Sequence, residues 1–200
     1  MEAGLRQARG RPSEGAREAV VEAAHELFME RDYAQVSTEQ VLERSGVSRG
    51  ALYHHFPTKL DLFRAVFVAS ERRVIARIAA QAAPASSPFE ALLALTRGYL
   101  RAAETDEELR RIGLSQSRAV LGWEAWRAAC TELGIGVALA GVTAAIEAGE
   151  LPPHDPETMA IVLLGAVIDA AMLIVVAEDG AAARERSEAV IVALLEGLRR

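Results

Sequence analysis

The stretch that most constrains this chain is residues 37–59, where capping signals, a glycine and a proline leave room for two short helices and little else. Ser37-Thr38-Glu39-Gln40 reads as a capping box, with Ser37 as N-cap and Gln40 at the third helical position. Val41 and Leu42 give that helix its inward face, and it reaches only about Ser45. Gly46 supplies the left-handed residue that closes a helix at little steric cost. Ser48 caps a second helix two residues later, and Pro57 stops it just after Phe56. Two short helices joined by a tight glycine-containing turn are the geometry of a helix-turn-helix, with Val41, Val47 and Leu52 expected to lock them together.

The outward side of the second helix is then Arg49, Gly50, Tyr53 and His54, and each type has a use against a duplex. A guanidinium can meet guanine O6 and N7 with two hydrogen bonds. A glycine lets the helix approach a groove closely. Tyrosine and histidine can donate to phosphate oxygens, and the helix N-terminus at Ser37 and Thr38 suits a phosphate as well. Lys59 adds a cation at the start of the next helix. The net charge of −6 argues against a generic polyanion binder, but the charge is unevenly placed. Residues 1–13 carry Arg6, Arg9 and Arg11 against Glu2 alone, and residues 44–60 contain no acid. Local potential governs phosphate affinity more than the whole-chain sum does. The basic arm is either a solubilising tail or a further DNA contact, with Arg11 the candidate nearest the first helix.

The run Gly46-Val47-Ser48-Arg49-Gly50-Ala51-Leu52-Tyr53-His54-His55-Phe56-Pro57-Thr58-Lys59, followed by Leu62-Phe63, resembles the signature of the TetR family of bacterial repressors. The spacing of Ala24, Leu27 and Phe28 in the preceding helix is similar too, so the specific resemblance covers about residues 16–63. It implies a three-helix head and a six-helix body whose last two helices pair with those of a second subunit. It also implies a homodimer that binds a double-stranded DNA operator and responds to a small-molecule effector. Carried over by position, Ser37, Thr38, Tyr53, His54 and Lys59 would contact phosphate, while Ser48, Arg49 and Gly50 would lie against bases or their flanking phosphates. Val41-Leu42 departs from the Ile-Ala often found there, so packing between the first two helices is expected to differ.

The rest of the chain reads as helices. Val20, Ala23, Ala24, Leu27 and Phe28 form one stripe of a first helix ending near Arg31–Asp32. Thr58, with Asp61 three residues on, caps a long fourth helix that runs as far as Pro84. Ser87-Pro88-Phe89-Glu90 opens a fifth. A short sixth starts at Thr105 or Asp106, and residues 115–122 are ambiguous. Trp123, Trp126, Cys130, Leu133 and Val137 share a face of a seventh, and Asp155-Pro156 opens an apolar eighth. Gly180 separates that from a ninth bearing Val190, Ile191, Leu194, Leu195 and Leu198. The expected fold is therefore all-α: a flexible basic arm (1–13), a helix-turn-helix head (14–58) and a ligand-binding and dimerisation bundle (59–200).

Within the body, Phe67, Tyr99, Trp123, Trp126, Met159 and Met172 are candidates for a ligand cavity, the alternative being a packed core. Asp169 stands inside the apolar run from Met159 to Ala177, where a carboxylate must be paired or protonated. It would either bind a cationic or hydroxyl-bearing ligand or pair with a buried group in the core or dimer interface. That run is long enough to span a bilayer, but a helix buried by a partner gives the same pattern, and no membrane association is expected. Cys130, the single cysteine, reads as a buried filler, and cytoplasmic placement fits. Adjacent His54 and His55 point in different directions on a helix, so no metal site is expected, and no catalytic set or cofactor motif is present. The rival reading is a helical small-molecule-binding or catalytic protein with a vestigial helix-turn-helix.

Overall fold

The apolar stripe of residues 20–28 builds α1 (Pro12–Glu30), and Val20, Ala24, Leu27 and Phe28 are fully buried along it. The computed structural model describes residues 12–199, so Arg6, Arg9 and Arg11 lie outside the described residues. The chain divides into two units, one ending at Val66 and the other beginning at Phe67.

In the first unit, α1 leads through a 3-10 turn (Tyr33–Gln35) to α2 (Thr38–Ser45) and α3 (Arg49–His55). Ser37 Oγ accepts from the Gln40 amide at 3.2 Å while the Gln40 side chain accepts from the Ser37 amide at 2.8 Å, so the capping box is formed as read. Gly46 closes α2 at φ 66°, in the left-handed region, and Ser48 Oγ caps α3 through the Ala51 amide at 3.3 Å. Val41 and Leu52 are buried between the helices, whereas Val47 is only half-buried. Burial of a leucine such as Leu52 contributes roughly 1.5–3 kcal/mol relative to exposure. The unit extends past Thr58 because the first turns of α4 (Lys59–Ala82) complete its core: Phe63 meets Phe28 edge-on at 5.0 Å and Tyr33 at 5.1 Å.

In the second unit α4 continues, followed by α5 (Pro88–Thr105), capped by Ser87 with Pro88 in its first turn. The expected short sixth helix with an undefined tail is instead a π-helical segment (Leu109–Gln116) running directly into α6 (Ser117–Leu121). The widened turn has side-chain supports that periodicity does not show. Ser117 Oγ donates to the Ile112 carbonyl, and Trp126 Nε1 donates to the Gly113 carbonyl at 2.8 Å. Gly122, at φ 79°, then ends α6 and lets α7 (Trp123–Glu147) begin at once. Asp155 caps α8 (Pro156–Val176), and Asp179 caps α9 (Gly180–Leu198).

Two sequence expectations need correction here. Trp123 and Trp126 do not share a buried face: Trp126 is fully buried, while Trp123, at the first position of α7, is 52 % exposed with Arg118 over its ring. Asp169 is not a buried carboxylate. Its side chain is 61 % exposed and ion-paired with Arg127 at 2.7 Å. The reason is that α8 is only partly covered within one chain: Val167, Ile168, Ala171 and Ile174 face inward, while Ile161, Val162, Leu173 and Val176 stay exposed. On α9, Ile191 and Leu195 are buried but Val190, Leu194 and Leu198 are exposed. By length and composition both α7 and α8 could cross a membrane, one more than the hydropathy of the eighth segment alone suggests.

Candidate functional site

The outward face of α3 is set by the caps. Because Ser48 fixes the start of α3 and Leu52 anchors its inner side, Ser48, Arg49, Gly50, Tyr53 and His54 all stand exposed on its outer side. A Cβ added at Gly50 would meet nothing within 4 Å, so the absent side chain leaves open space on the outward surface of the helix. Tyr53 Oη lies 3.1 Å from Thr38 Oγ1, joining the start of α2 to the middle of α3 and placing two hydroxyls side by side. Ser37 is half-buried and its hydroxyl serves the capping box, so its part in any anion contact falls to the surrounding backbone and to Thr38.

Three features were not visible as charge counts. Glu39 folds onto this face: it accepts from Arg49 at 3.1 Å, with both side chains more than half exposed. Its carboxyl is held below the usual range by a hydrogen bond from its own backbone and by Arg49 beside it. The acid-free interval 44–60 therefore faces an acid from just outside it. Arg44 is committed to Glu30 at 2.6 Å, with Glu26 at 3.5 Å. Lys59 does not project outward: its ammonium donates to the carbonyls of Tyr33 and Val36 at 2.8 and 2.9 Å and sits 4.0 Å from the Tyr33 ring centroid. Burial pushes its pKa down. This lysine ties the 3-10 turn to α4. His54 is exposed and His55 half-buried, their rings 5.2 Å apart.

In the second unit, a cavity of about 90 Å³ lies among α4, α5, α7 and α8. Its walls are aliphatic except for Glu71, Thr96, Tyr99 and Cys130. Of the residues expected to line a cavity, Tyr99 lines this one. Phe67 and Trp126 are sealed in the core, Trp123 is exposed and Met172 is half-buried. Met159 lines a separate apolar depression of about 420 Å³ with Val162, Leu194 and Leu198 of α8 and α9. Asp169 borders neither space. Glu71, which the sequence reading did not single out, is 2 % exposed. Burial raises its pKa to about 7, Tyr99 pulls it down, and Glu108 and Asp106 push it up again. Burial likewise keeps the Tyr99 hydroxyl and the Cys130 thiol neutral.

This arrangement agrees with what the chain is similar to. Residues 20–66 match the model described as bacterial regulatory proteins, tetR family, and residues 89–198 match the tetracyclin repressor-like C-terminal domain. A crystal structure of a TetR-family transcriptional regulator from Pectobacterium atrosepticum superposes with a TM-score of 0.82 at 30 % identity, covering 96 % of this chain and 98 % of that one. Over 50 residues the chain is 42 % identical to the HTH-type transcriptional repressor BepR of Brucella suis, a match covering 25 % of this chain and 24 % of that protein. Over 63 residues it is 36 % identical to the HTH-type transcriptional activator FasR of Mycolicibacterium smegmatis, covering 32 % of this chain and 29 % of that protein. The matches thus span less than a third of those two curated relatives' lengths, whereas the structural match runs nearly end to end. In this light the apolar α7 and α8 are helices of a regulator's body, and the alternative with a vestigial head is not favoured. With both of its halves matched, this chain belongs to the tetR family of bacterial regulatory proteins and is a DNA-binding transcriptional regulator.

Proposed function

We propose that the protein is an effector-responsive repressor that binds a palindromic operator as a homodimer in the cytoplasm. The observation that carries this is the exposed row Ser48, Arg49, Gly50, Tyr53 and His54, held by two caps and a buried leucine, with open space over Gly50. In this reading Arg49 leaves Glu39 to meet a base edge or phosphate, and the Thr38–Tyr53 hydroxyl pair donates to a phosphate. Two copies would read half-sites in successive major grooves, roughly 34–36 Å apart. The exposed aliphatic residues of α8 and α9 support a face covered by a second copy, since exposed apolar patches of this kind mark interaction surfaces. In the same reading residues 14–58 form the DNA-binding part and 59–200 the effector and dimer part.

The effector would occupy the body cavity and bind better to the form that binds operator worse. A coupling of about 1–3 kcal/mol changes operator affinity roughly 5- to 150-fold. The test begins by selecting bound fragments from genomic DNA and measuring affinity by fluorescence anisotropy. Arg49→Ala is expected to weaken specific binding about ten- to a hundredfold while leaving helical content and oligomeric state unchanged. Weak, sequence-blind binding that Arg49→Ala does not alter would sink the reading. A reporter with the selected site placed over its promoter distinguishes repression from activation.

A further inference from the structure

Glu71 is the anomaly of the body. It is buried on a cavity wall that is otherwise nearly all aliphatic, and one carboxylate oxygen, Oε1, has no hydrogen-bonding partner. The other oxygen receives only a long hydrogen bond, 3.4 Å, from Tyr99. A buried carboxylate with so few partners costs several kcal/mol in general, and natural cores avoid it unless a cation completes the pair.

Among the described residues, no cation lines the cavity. On α4 itself, Arg73 donates to Glu108 at 2.6 and 3.1 Å, and Arg77 donates to Asp106. On α7, Arg127 is turned to Asp169 at 2.7 Å, and Cys130 is a neutral thiol. From α5, Tyr99 faces Glu71 as a neutral donor. The charges that act on Glu71 from the described residues are acids, Glu108 and Asp106. The π-helical segment meanwhile makes room for the carboxylate. A Cβ at Gly113 would sit 2.3 Å from Glu71 Oε1, and Trp126 holds the Gly113 carbonyl. Fold and sequence together keep a carboxylate in place and leave it uncompensated.

We propose that this cavity takes a compact apolar ligand bearing one positive charge, a short alkylammonium or similar amine, whose N–H groups complete the partners of Glu71. The proposal rests on the reading of this cavity as the effector site. Size limits the class: the cavity is about 90 Å³, less than the roughly 150 Å³ that admits a benzene ring. A ligand of about five heavy atoms fits without rearrangement, the ammonium at Glu71 and the chain against Ile75, Leu164 and Ile168.

The test uses the full-length protein and three matched probes: n-butylammonium, n-butanol and butyrate. Binding is measured by calorimetry and ligand-observed NMR at pH 8 and pH 6. The wild type is expected to bind n-butylammonium at least about thirtyfold more tightly than n-butanol at pH 8, the scale set by a desolvated charge pair. Butyrate should not bind. The Glu71 carboxyl titrates at about 7, so amine affinity should fall about tenfold from pH 8 to pH 6 while butanol affinity stays flat. Glu71→Gln should abolish the preference for the amine and keep butanol binding. The probe comparison and pH profile in the wild type decide the matter even if that variant proves unusable. Equal affinity for amine and alcohol, amine binding retained in Glu71→Gln, or no amine binding at all overturns the proposal. Operator affinity measured in parallel separates the two readings. Butanol binding that releases operator, with no amine preference, defeats the cation site and keeps the effector site. Amine binding that leaves operator affinity unmoved does the reverse.

Discussion

Replacing Glu71 by glutamine should stabilise the protein, and by an amount that depends on pH. The carboxyl titrates near 4.5 when solvated and at about 7 in the fold. Each pH unit of that displacement corresponds to 1.36 kcal/mol, so the charged form is penalised by about 3 kcal/mol. The folded state holds its proton more tightly than the unfolded state, so stability falls as pH rises from about 4.5 to about 7 and is flat above that. Glutamine carries no proton to lose and does not follow this curve. Relative to wild type, Glu71→Gln should therefore gain roughly 3 kcal/mol at pH 8 and only about 1 kcal/mol at pH 5. For a chain of 200 residues this is a rise in Tm of about 6–12 °C at pH 8 against about 2–4 °C at pH 5. Differential scanning calorimetry at fixed protein concentration reads both values. Leaving an amide N–H unpartnered beside Gly113 would lower both gains equally, so the difference between the two pH values is the quantity to test. Equal Tm changes at pH 5 and pH 8, or a larger gain at pH 5, would refute the reasoning. The same substitution is expected to blind the cavity to amines, a trade of function for stability seen when buried polar groups serve a ligand.

Other consequences are simpler to measure. Lys59→Met should lower the stability of the first unit by about 1–2 kcal/mol, because two carbonyls lose a charged donor, and should leave the salt dependence of operator binding unchanged. A reduced salt slope with unaltered stability would return this lysine to the phosphate contacts. Leu194→Glu places a charge on the exposed aliphatic face of α9 and should give a monomer at micromolar concentration by light scattering. Trp126→Phe removes the donor to the Gly113 carbonyl and opens a gap in the core, a loss of about 2–4 kcal/mol by denaturant unfolding.

What could be read from the chain beforehand follows from the range over which each signal acts. Caps and breakers act within four residues, so Ser37 with Gln40, Gly46, Ser48 and Ser87 all took the roles their types dictate. Periodicity settled α1 in the same way, since every residue of its stripe packs inward. The π-helical segment was illegible because its supports, Ser117 and Trp126, lie outside it, and Trp126 is thirteen residues from the carbonyl it holds. The partners of Lys59 were hidden for a related reason: a lysine at a helix start looks solvated until Tyr33 and Val36, far back in sequence, present their carbonyls to it.

Two acidic residues of the body show where such reading fails in kind. Asp169 drew notice because its sequence neighbours are apolar, yet those neighbours include exposed residues of α8, and the carboxylate reaches Arg127 near solvent. Glu71 drew none because Arg72 and Arg73 beside it look like a solvated helix face. Its burial is imposed from other elements, by Tyr99 on α5 and by the π-helical turn at Gly113. A hydrophobic run reports how a segment partitions as a whole, whereas the cost of one charge depends on the few groups within reach of it. A cavity is assembled from single residues of several helices, so a polar group on its wall leaves no local pattern. It becomes visible only when a carboxylate is found inside with nothing to answer its charge.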